Sequence, residues 1–364
     1  MTKDVELSLL NLNPEKEERF FTLQWHLTAL CDQHCKHCYM YDSETYLDEL
    51  KNPLTYEQCK MVMDDFYKTT KEWNIKGRIV FTGGDPLLRK DFFKILRYAK
   101  RKGFILGILG NPYHLDLTVA NKLRNFGISF YQISIDGLEK THDKFRRRGS
   151  FKESLRALRV LKKIGIKTKV MFTVSKTNKN DLVKVMQLLA KEGVDIFSFS
   201  RLTPVGSGAK LKKDLLSPKE YKDLLFKVLE EIIKLKRKGY RTYFKIRENL
   251  CFLLAQELGL LPSIPNDNII YDGCYVGVNS LAILTNGVVY PCRRLPIKIG
   301  KVPEQKIKDI FLNSKTLNKL RNVEELKKCS KCDLLQICRG CPAVAYGVHS
   351  SFFAPDPQCW KKIL

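Results

Sequence analysis

The stretch Phe21-Thr22-Leu23-Gln24-Trp25-His26-Leu27, followed closely by Leu30-Cys31-Asp32-Gln33-His34-Cys35-Lys36-His37-Cys38-Tyr39, decides the reading of this 364-residue chain. The first part is a short, mainly apolar run that reads as a β-strand. The second part sets Cys31, Cys35 and Cys38 in the order C-x3-C-x2-C just beyond that strand. Three thiolates alone do not complete a tetrahedral four-cysteine zinc site. They do hold three irons of a cubane [4Fe–4S] cluster and leave its fourth iron free for another ligand. Part of a zinc site, or reactive thiols, are the other readings open to the spacing on its own.

Outward from this stretch the pattern alternates. Apolar runs at Phe21–Leu27, Arg78–Phe81, Phe104–Leu109, Phe130–Ile135, Lys169–Val174, Ile196–Ser200 and Thr242–Ile246 predict strands. Amphipathic stretches at Tyr56–Trp73, Lys90–Lys102, Leu117–Phe126, Phe151–Ile164, Leu182–Glu192 and Pro218–Lys238 predict helices between them. Such alternation implies βαβ units and a parallel sheet. About six repeats are too few for a closed eight-unit barrel and predict an α/β fold, a partial (β/α)6 TIM-like barrel. Active residues are then expected at the C-terminal ends of strands, where the first cysteine motif lies.

Eight of the twelve cysteines stand at or beyond Cys251, and the alternation stops near residue 270. The expected organisation is an N-terminal extension over 1–21, the barrel over 22–246, a helical connector over 247–270 and a Cys-rich domain over 271–364. Short strands are expected at Val276–Leu284 and Val288–Pro291. In the last segment Cys274 is followed by Gly287 and Cys292 in a C-x12-G-x4-C step. Cys329-x2-Cys332-x5-Cys338-x2-Cys341 and a final Cys359 complete the set. A stretch so poor in apolar residues is expected to need metal to fold. Two structural zinc sites would need eight ligands, and this segment has seven cysteines.

Composition narrows the class. With 44% hydrophobic and 28% charged residues the chain reads as globular. No apolar run is long enough to span a bilayer, and the N-terminus lacks a signal-peptide cleavage pattern. Cysteines clustered in C-x2-C pairs, without a secretory signal, point to metal in a reducing compartment, so the expected location is cytoplasmic. The net charge of +25 points to acidic partners. No RRM, KH or zinc-finger signature is present, which sets nucleic acid aside.

Taken together, the motifs resemble those of radical S-adenosylmethionine (SAM) enzymes with a SPASM auxiliary-cluster domain, from about Leu23 to Trp360. C-x3-C-x2-C is that family's first motif. Phe81-Thr82-Gly83-Gly84-Asp85-Pro86-Leu87 is similar to its glycine motif, with Asp where Glu is usual. Ile133-Ser134-Ile135-Asp136-Gly137, with His142-Asp143-Lys144-Phe145-Arg146, resembles a further segment. The late cysteines follow the SPASM pattern, except that x2 separates Cys338 from Cys341 where x3 is common.

The resemblance implies that Cys31, Cys35 and Cys38 hold a [4Fe–4S] cluster whose open iron binds SAM. Reductive cleavage of SAM would then give a 5′-deoxyadenosyl radical that abstracts hydrogen from a substrate. It implies that Gly83, Gly84, Asp85 and Pro86 approach the SAM amino group. Ser134 and Asp136 would meet the ribose and Arg146 the SAM carboxylate, with Arg201 a further polar candidate. Bland readings stand beside these: a strand-end turn for the glycines, a helix cap for Ser134 and Asp136.

One or two auxiliary clusters are implied. Cys329, Cys332, Cys338 and Cys359 would hold one. Cys274, Cys292 and Cys341 would hold the other, its fourth ligand being Cys251, a non-cysteine group or the substrate. Cys59 reads as a packing residue. Sulfatase-maturing relatives carry an acidic base directly after the cysteine of the G-x4-C step. Here Arg293 stands there, and arginine accepts no proton near neutral pH. Arg293 and Arg294 would meet a substrate carboxylate or lie on the surface.

An acidic ferredoxin- or flavodoxin-type electron donor is the implied partner. The implied substrate is a ribosomal peptide first, to be crosslinked, and next a small cofactor, haem-type or molybdo/tungstopterin-type. Only 30 residues precede Cys31, so a leader-recognition domain is not expected. A non-catalytic iron–sulfur electron carrier is the reading from a different class. The Gly83–Pro86 motif opposes it, because a carrier needs no SAM site.

Overall fold

Strand β1 (Phe20–Thr28) lies inside a ten-stranded sheet. The structure is a computed structural model and describes residues 20–246, 248–261, 263 and 269–363. On one side of β1 lie β2 (Lys76–Gly83), β3 (Ile105–Leu109), β4 (Phe130–Ser134), β5 (Thr168–Val174), β6 (Ile196–Arg201) and β7 (Tyr243–Ile246), each parallel to the one before. On the other side lie β8 (Ser280–Ile283), β9 (Val288–Tyr290) and β10 (Gly300–Lys301). The sheet does not close on itself, since β7 and β10 are its edges. That leaves an open barrel, as the repeat count predicts.

The helices in chain order are α1 (Tyr46–Lys51), α2 (Tyr56–Glu72), α3 (Phe92–Arg101), α4 (Leu117–Asn125), α5 (Glu139–Phe145), α6 (Ser150–Ile164), α7 (Leu182–Glu192) and α8 (Pro218–Arg237). After β7 come α9 (Cys251–Glu257), α10 (Ile307–Asn313), α11 (Lys315–Arg321) and α12 (Pro342–His349). Local chemistry fixes their starts. Thr55 with Gln58, and Ser217 with Glu220, form capping boxes that satisfy the first N–H groups of α2 and α8. Pro218 at the first turn of α8 gives up a donor that would be idle there anyway. Among the described residues, no helix is long and apolar enough to cross a membrane.

Strand alternation sorts the core from the barrel interior. Phe21, Leu23, Trp25 and Leu27 of β1 are buried in one apolar cluster with the helix faces. Gln24, His26 and Thr28 point the other way. The long, strongly periodic elements occur where the sequence predicts them. Helices α1 and α5, of six and seven residues, were not anticipated because two turns carry too little periodicity to register. The strand expected over Val276–Leu284 is confined to Ser280–Ile283, because a turn from Tyr275 to Val278 interrupts it.

The Cys-rich region extends the sheet directly. β8 pairs in parallel with Thr22–Trp25 of β1. Leu281, Ile283, Val289, Ile307, Ile310 and Leu334 join the same apolar cluster as the barrel helices. The expected N-terminal extension lies outside the described residues apart from Phe20 and Phe21, and part of the expected connector does too.

Candidate active site

The strand ends open onto a cavity enclosing about 1070 Å³ of free space, part of it continuous with solvent. Its lining includes Cys31, Cys35 and Cys38 from the loop after β1, Gly83 and Gly84 from the end of β2, and Asn111 beyond β3. Ser134, Thr173 and Arg201 follow from the ends of β4, β5 and β6, and Arg293 and Arg294 from the Cys-rich region.

Each thiol of the first motif receives one N–H. Asn111 Nδ2 lies 3.2 Å from Cys31 Sγ, Arg146 Nη1 lies 3.3 Å from Cys35 Sγ, and the Met40 amide lies 3.4 Å from Cys38 Sγ. Such donors stabilise thiolate charge in an iron–sulfur site. Burial pushes the Cys35 thiol up to about 12, against the Arg146 charge, and raises Cys38 as well. A metal that takes the sulfur displaces the thiol proton. A single zinc ion, about 2.3 Å from each sulfur, would draw its ligands to within about 4 Å of one another. Among the described residues no three of the cysteine sulfurs converge within 4.8 Å; the trio of ligand atoms that does is Asp32, Asp85 and His114. The wider spread suits a cubane cluster.

The glycines act through the cysteine loop. Gly84 N–H donates to Thr28 O at 2.7 Å and Asp85 N–H to Leu30 O at 2.8 Å, so the turn after β2 runs against the segment leading into Cys31. A Cβ on Gly84 would collide with Leu30 O and Cys31 Cβ, and one on Gly83, at φ +138°, with Thr28 O. Glycine is needed here to seat the loop, and both residues also line the cavity.

Five expected cofactor contacts need correction. Asp85 is fully buried, caps the following turn by accepting from Leu87 N–H at 3.2 Å, and does not line the cavity. Pro86 is buried in that turn and acts only through its shape. Asp136 is fully buried and its oxygens are already engaged. They accept from Thr173 N–H at 2.7 Å and Arg146 Nε at 2.5 Å, with His37 Nε2 at 3.3 Å. Burial would raise its pKa, but Arg146 and His37 outweigh that and hold it below the ordinary carboxylate range. It orients Arg146 instead of meeting a ribose.

Arg201, 1% exposed, spends its guanidinium on Glu248 at 2.6 Å, both oxygens of Asp356 at 2.7 and 2.8 Å, and Gln358 at 3.0 Å. It ties the barrel to the Cys-rich region, with four of its five N–H donors taken by protein acceptors. Arg146, likewise, points its free donors at Cys35 Sγ and at Gln33 Oε1, 3.2 Å away. Ser134 does line the cavity, at the end of β4. Asn111 and the tyrosines Tyr39, Tyr41 and Tyr46 are cavity residues that the sequence reading missed. Asn111 lies two residues beyond the end of β3, which was a usable signal.

In the C-terminal region the thiols act on one another electrostatically. Burial raises Cys274, and charges on Cys341 and Cys292 raise it further. Burial likewise raises Cys329, with Cys359 and Cys332 adding to it, and Cys329 in turn acts on Cys338. Cys251, on α9, is buried, with Asp272 and Glu248 as the charges acting on its thiol. Cys59 is buried in the α2 face, as a packing residue.

Two family models match the chain: the radical SAM superfamily over residues 25–189, and SPASM, an iron–sulfur cluster-binding domain, over residues 274–342. AdoMet-dependent heme synthase of Methanosarcina barkeri is 30% identical, over 93% of this chain and 95% of its own length. The chain belongs to the radical SAM superfamily. Fe-coproporphyrin III synthase of the same organism is 28% identical, over 99% of this chain and 92% of its own. Mycofactocin maturase MftC of Mycolicibacterium smegmatis is 26% identical, over 93% and 82%. Among solved structures, Streptococcus suis SuiB bound to S-adenosylmethionine superposes with a TM-score of 0.74 at 17% identity, covering 94% of this chain and 78% of that one. This radical SAM/SPASM chain is thus a SAM-dependent enzyme with a [4Fe–4S] cluster and auxiliary iron–sulfur clusters in its C-terminal domain.

Proposed function

We propose that this radical SAM/SPASM enzyme acts on a haem precursor, a flat molecule bearing several carboxylates. One observation carries the reading: no aspartate or glutamate lines the cavity, and of its four arginines, Arg146 and Arg201 are paired with buried carboxylates while Arg293 and Arg294 form no salt bridge among the described residues. A wall of that sign selects anions. The similarity to two haem-pathway enzymes over nearly the whole chain supports it and ranks it above the ribosomal peptide that the sequence alone put first.

When bound, the cluster and SAM supply a 5′-deoxyadenosyl radical that abstracts hydrogen from the substrate. The chain's own residues prepare that event. Cys31, Cys35 and Cys38 are the cluster ligands, each with its N–H donor. Gly83 and Gly84 offer close backbone approach on the same side of the cavity, beside Asn111 and Ser134. Tyr39, Tyr41 and Tyr46 wall the cavity near the cysteine loop, with Tyr41 and Tyr46 ring centroids 4.8 Å apart, and exclude water from the reaction space. Cys274, Cys292 and Cys341 stand behind Arg294 as ligands of an auxiliary cluster. An acidic protein as electron donor fits the net charge of +25.

The test is anaerobic incubation of the reconstituted enzyme with SAM, reductant and Fe-coproporphyrin III. The expected result is 5′-deoxyadenosine formation together with a fall in porphyrin mass. Formation of 5′-deoxyadenosine with the porphyrin unchanged, while a cysteine-rich peptide encoded beside the gene is modified, would overturn the reading in favour of peptide maturation.

A further inference from the structure

The four arginines of the cavity have different partners. Arg146 is held by Asp136, and Arg201 by Glu248 and Asp356. Among the described residues neither Arg293 nor Arg294 forms a salt bridge. Both follow Cys292 in a tight turn closed by Leu295 N–H on Cys292 O at 2.9 Å, which turns them off the end of β9 towards the cavity. Both are half-buried, and a guanidinium partly screened from water is stabilised by an anion beside it.

Arg294 Nη1 donates to Thr203 Oγ1 at 3.4 Å. Arg293 lies elsewhere: its guanidinium sits 5.3 Å from the centroid of the Tyr39 ring, and Tyr39 packs on His26 at 5.8 Å. A phenol and an imidazole carry no negative charge near neutral pH. Arg293 therefore faces the cavity against the Tyr39 side chain, with no carboxylate partner among the described residues.

We infer that Arg293 is the carboxylate clamp of this enzyme, holding an acid side chain of the substrate against the Tyr39 face and selecting carboxylate-bearing substrates. The inference rests on the haem-precursor reading for the identity of the carboxylate. The planar guanidinium suits it, because it grips a carboxylate with two parallel N–H bonds, which a lysine ammonium does not reproduce. The clamped group would lie on the auxiliary-cluster side of the cavity, across from Gly83, Gly84 and Asn111.

Equilibrium binding to the anaerobically reconstituted holoenzyme tests it, with Fe-coproporphyrin III and its methyl ester as the probes and variants compared at equal iron content. Wild type is expected to bind the acid at least about 10-fold tighter than the ester. Arg293→Ala is expected to weaken the acid by about 10- to 100-fold and leave the ester unchanged, with Arg293→Lys in between. Equal loss for acid and ester would mean a merely structural role, and no loss for the acid would refute the clamp. Equal affinity of wild type for acid and ester refutes it without any variant. Failure of wild type to bind either porphyrin sinks the haem-precursor reading, and the inference with it.

Discussion

Replacing Arg201 tests whether the barrel and the SPASM domain are joined by charge. In the folded protein its guanidinium is 1% exposed and faces two carboxylates, Glu248 and Asp356, whose side chains are 4% and 2% exposed. Arg201→Met keeps much of the stem volume and leaves both carboxylates buried without their cation. Removing one partner of a buried pair costs about 3–5 kcal/mol. That is a large share of a native stability of about 5–15 kcal/mol. Burial raises the pKa of Asp356 and Arg201 lowers it, with the lowering dominant, so Asp356 stabilises the wild type above its unfolded pKa. Without Arg201 the sign reverses. The buried carboxyl then takes up a proton on folding, and the deficit of the variant shrinks as pH falls towards the ordinary carboxylate range.

The assay is guanidinium unfolding of the anaerobic, reconstituted protein at pH 7.5 and at pH 5. A companion variant, Arg201→Met with Glu248→Gln and Asp356→Asn, separates charge from volume. It should recover at least half of the loss, since neutral replacements remove the unpaired charges. A cost below about 1 kcal/mol, or no recovery in the triple variant, would refute the reasoning.

Gly84→Ala pushes a methyl group into Leu30 O and Cys31 Cβ, so iron content should fall by one cluster while the auxiliary-cluster absorbance remains; unchanged iron would show that the loop yields. Asn111→Ala removes the N–H on Cys31 Sγ and leaves the thiolate more electron-rich. A hydrogen bond worth about 1 kcal/mol then corresponds to a shift of about 40 mV to more negative potential in an EPR-monitored titration of the SAM-binding cluster; a positive shift would contradict the assignment. His26 is buried with both ring nitrogens unpartnered, and burial, with Arg293, lowers its pKa from 6.5 to about 3. Its folded pKa is depressed, so its contribution is intact above pH 6.5 and is lost as pH falls. Between pH 7.5 and 5 that loss is about 2 kcal/mol, and His26→Phe should flatten this part of the stability profile.

What the sequence made legible was local. C-x3-C-x2-C lies within eight residues, and the helices α2, α6, α7 and α8 carry enough turns for their apolar faces to show. What it hid was set by distance along the chain. The partners of Arg201 are 47 and 155 residues away, and the donor for Cys31 Sγ is 80 residues away. Arg201 and Asp136 were expected at the cofactor because they end strands, which is where ligand contacts gather. A strand end is also where a partial barrel receives its second domain, and nothing in the local pattern tells the two uses apart. Asp136 fails as a ribose contact for a similar reason. The helix that delivers Arg146 to Cys35 is seven residues long, too short to be foreseen, and with it came the cation that claims the carboxylate.

The order of the sheet sets one side of the cavity: β1 pairs in parallel with β2, so the cysteine loop that leaves β1 lies beside the glycine turn after β2. The turn after Cys292 reaches the same cavity through Arg293, whose guanidinium lies 5.3 Å from the centroid of the Tyr39 ring. That space is bordered by Cys31, Cys35 and Cys38 and, from the Cys-rich region, by Arg293 and Arg294. The four arginines of the cavity differ in what they hold. Arg146 serves Cys35, and Arg201 locks Asp356, which in turn accepts from the Cys341 amide at 2.8 Å. Arg294 donates to Thr203 Oγ1 at 3.4 Å. Two of the four positive charges are thus consumed by the first cysteine motif and by the joint between domains. Arg293 is left over, and it stands where sulfatase-maturing relatives, by the resemblance drawn from the motifs, keep an acidic base. Exchanging that acid for an arginine replaces a proton acceptor by an anion receptor, so the same scaffold is refitted from deprotonating its substrate to gripping it by a carboxylate.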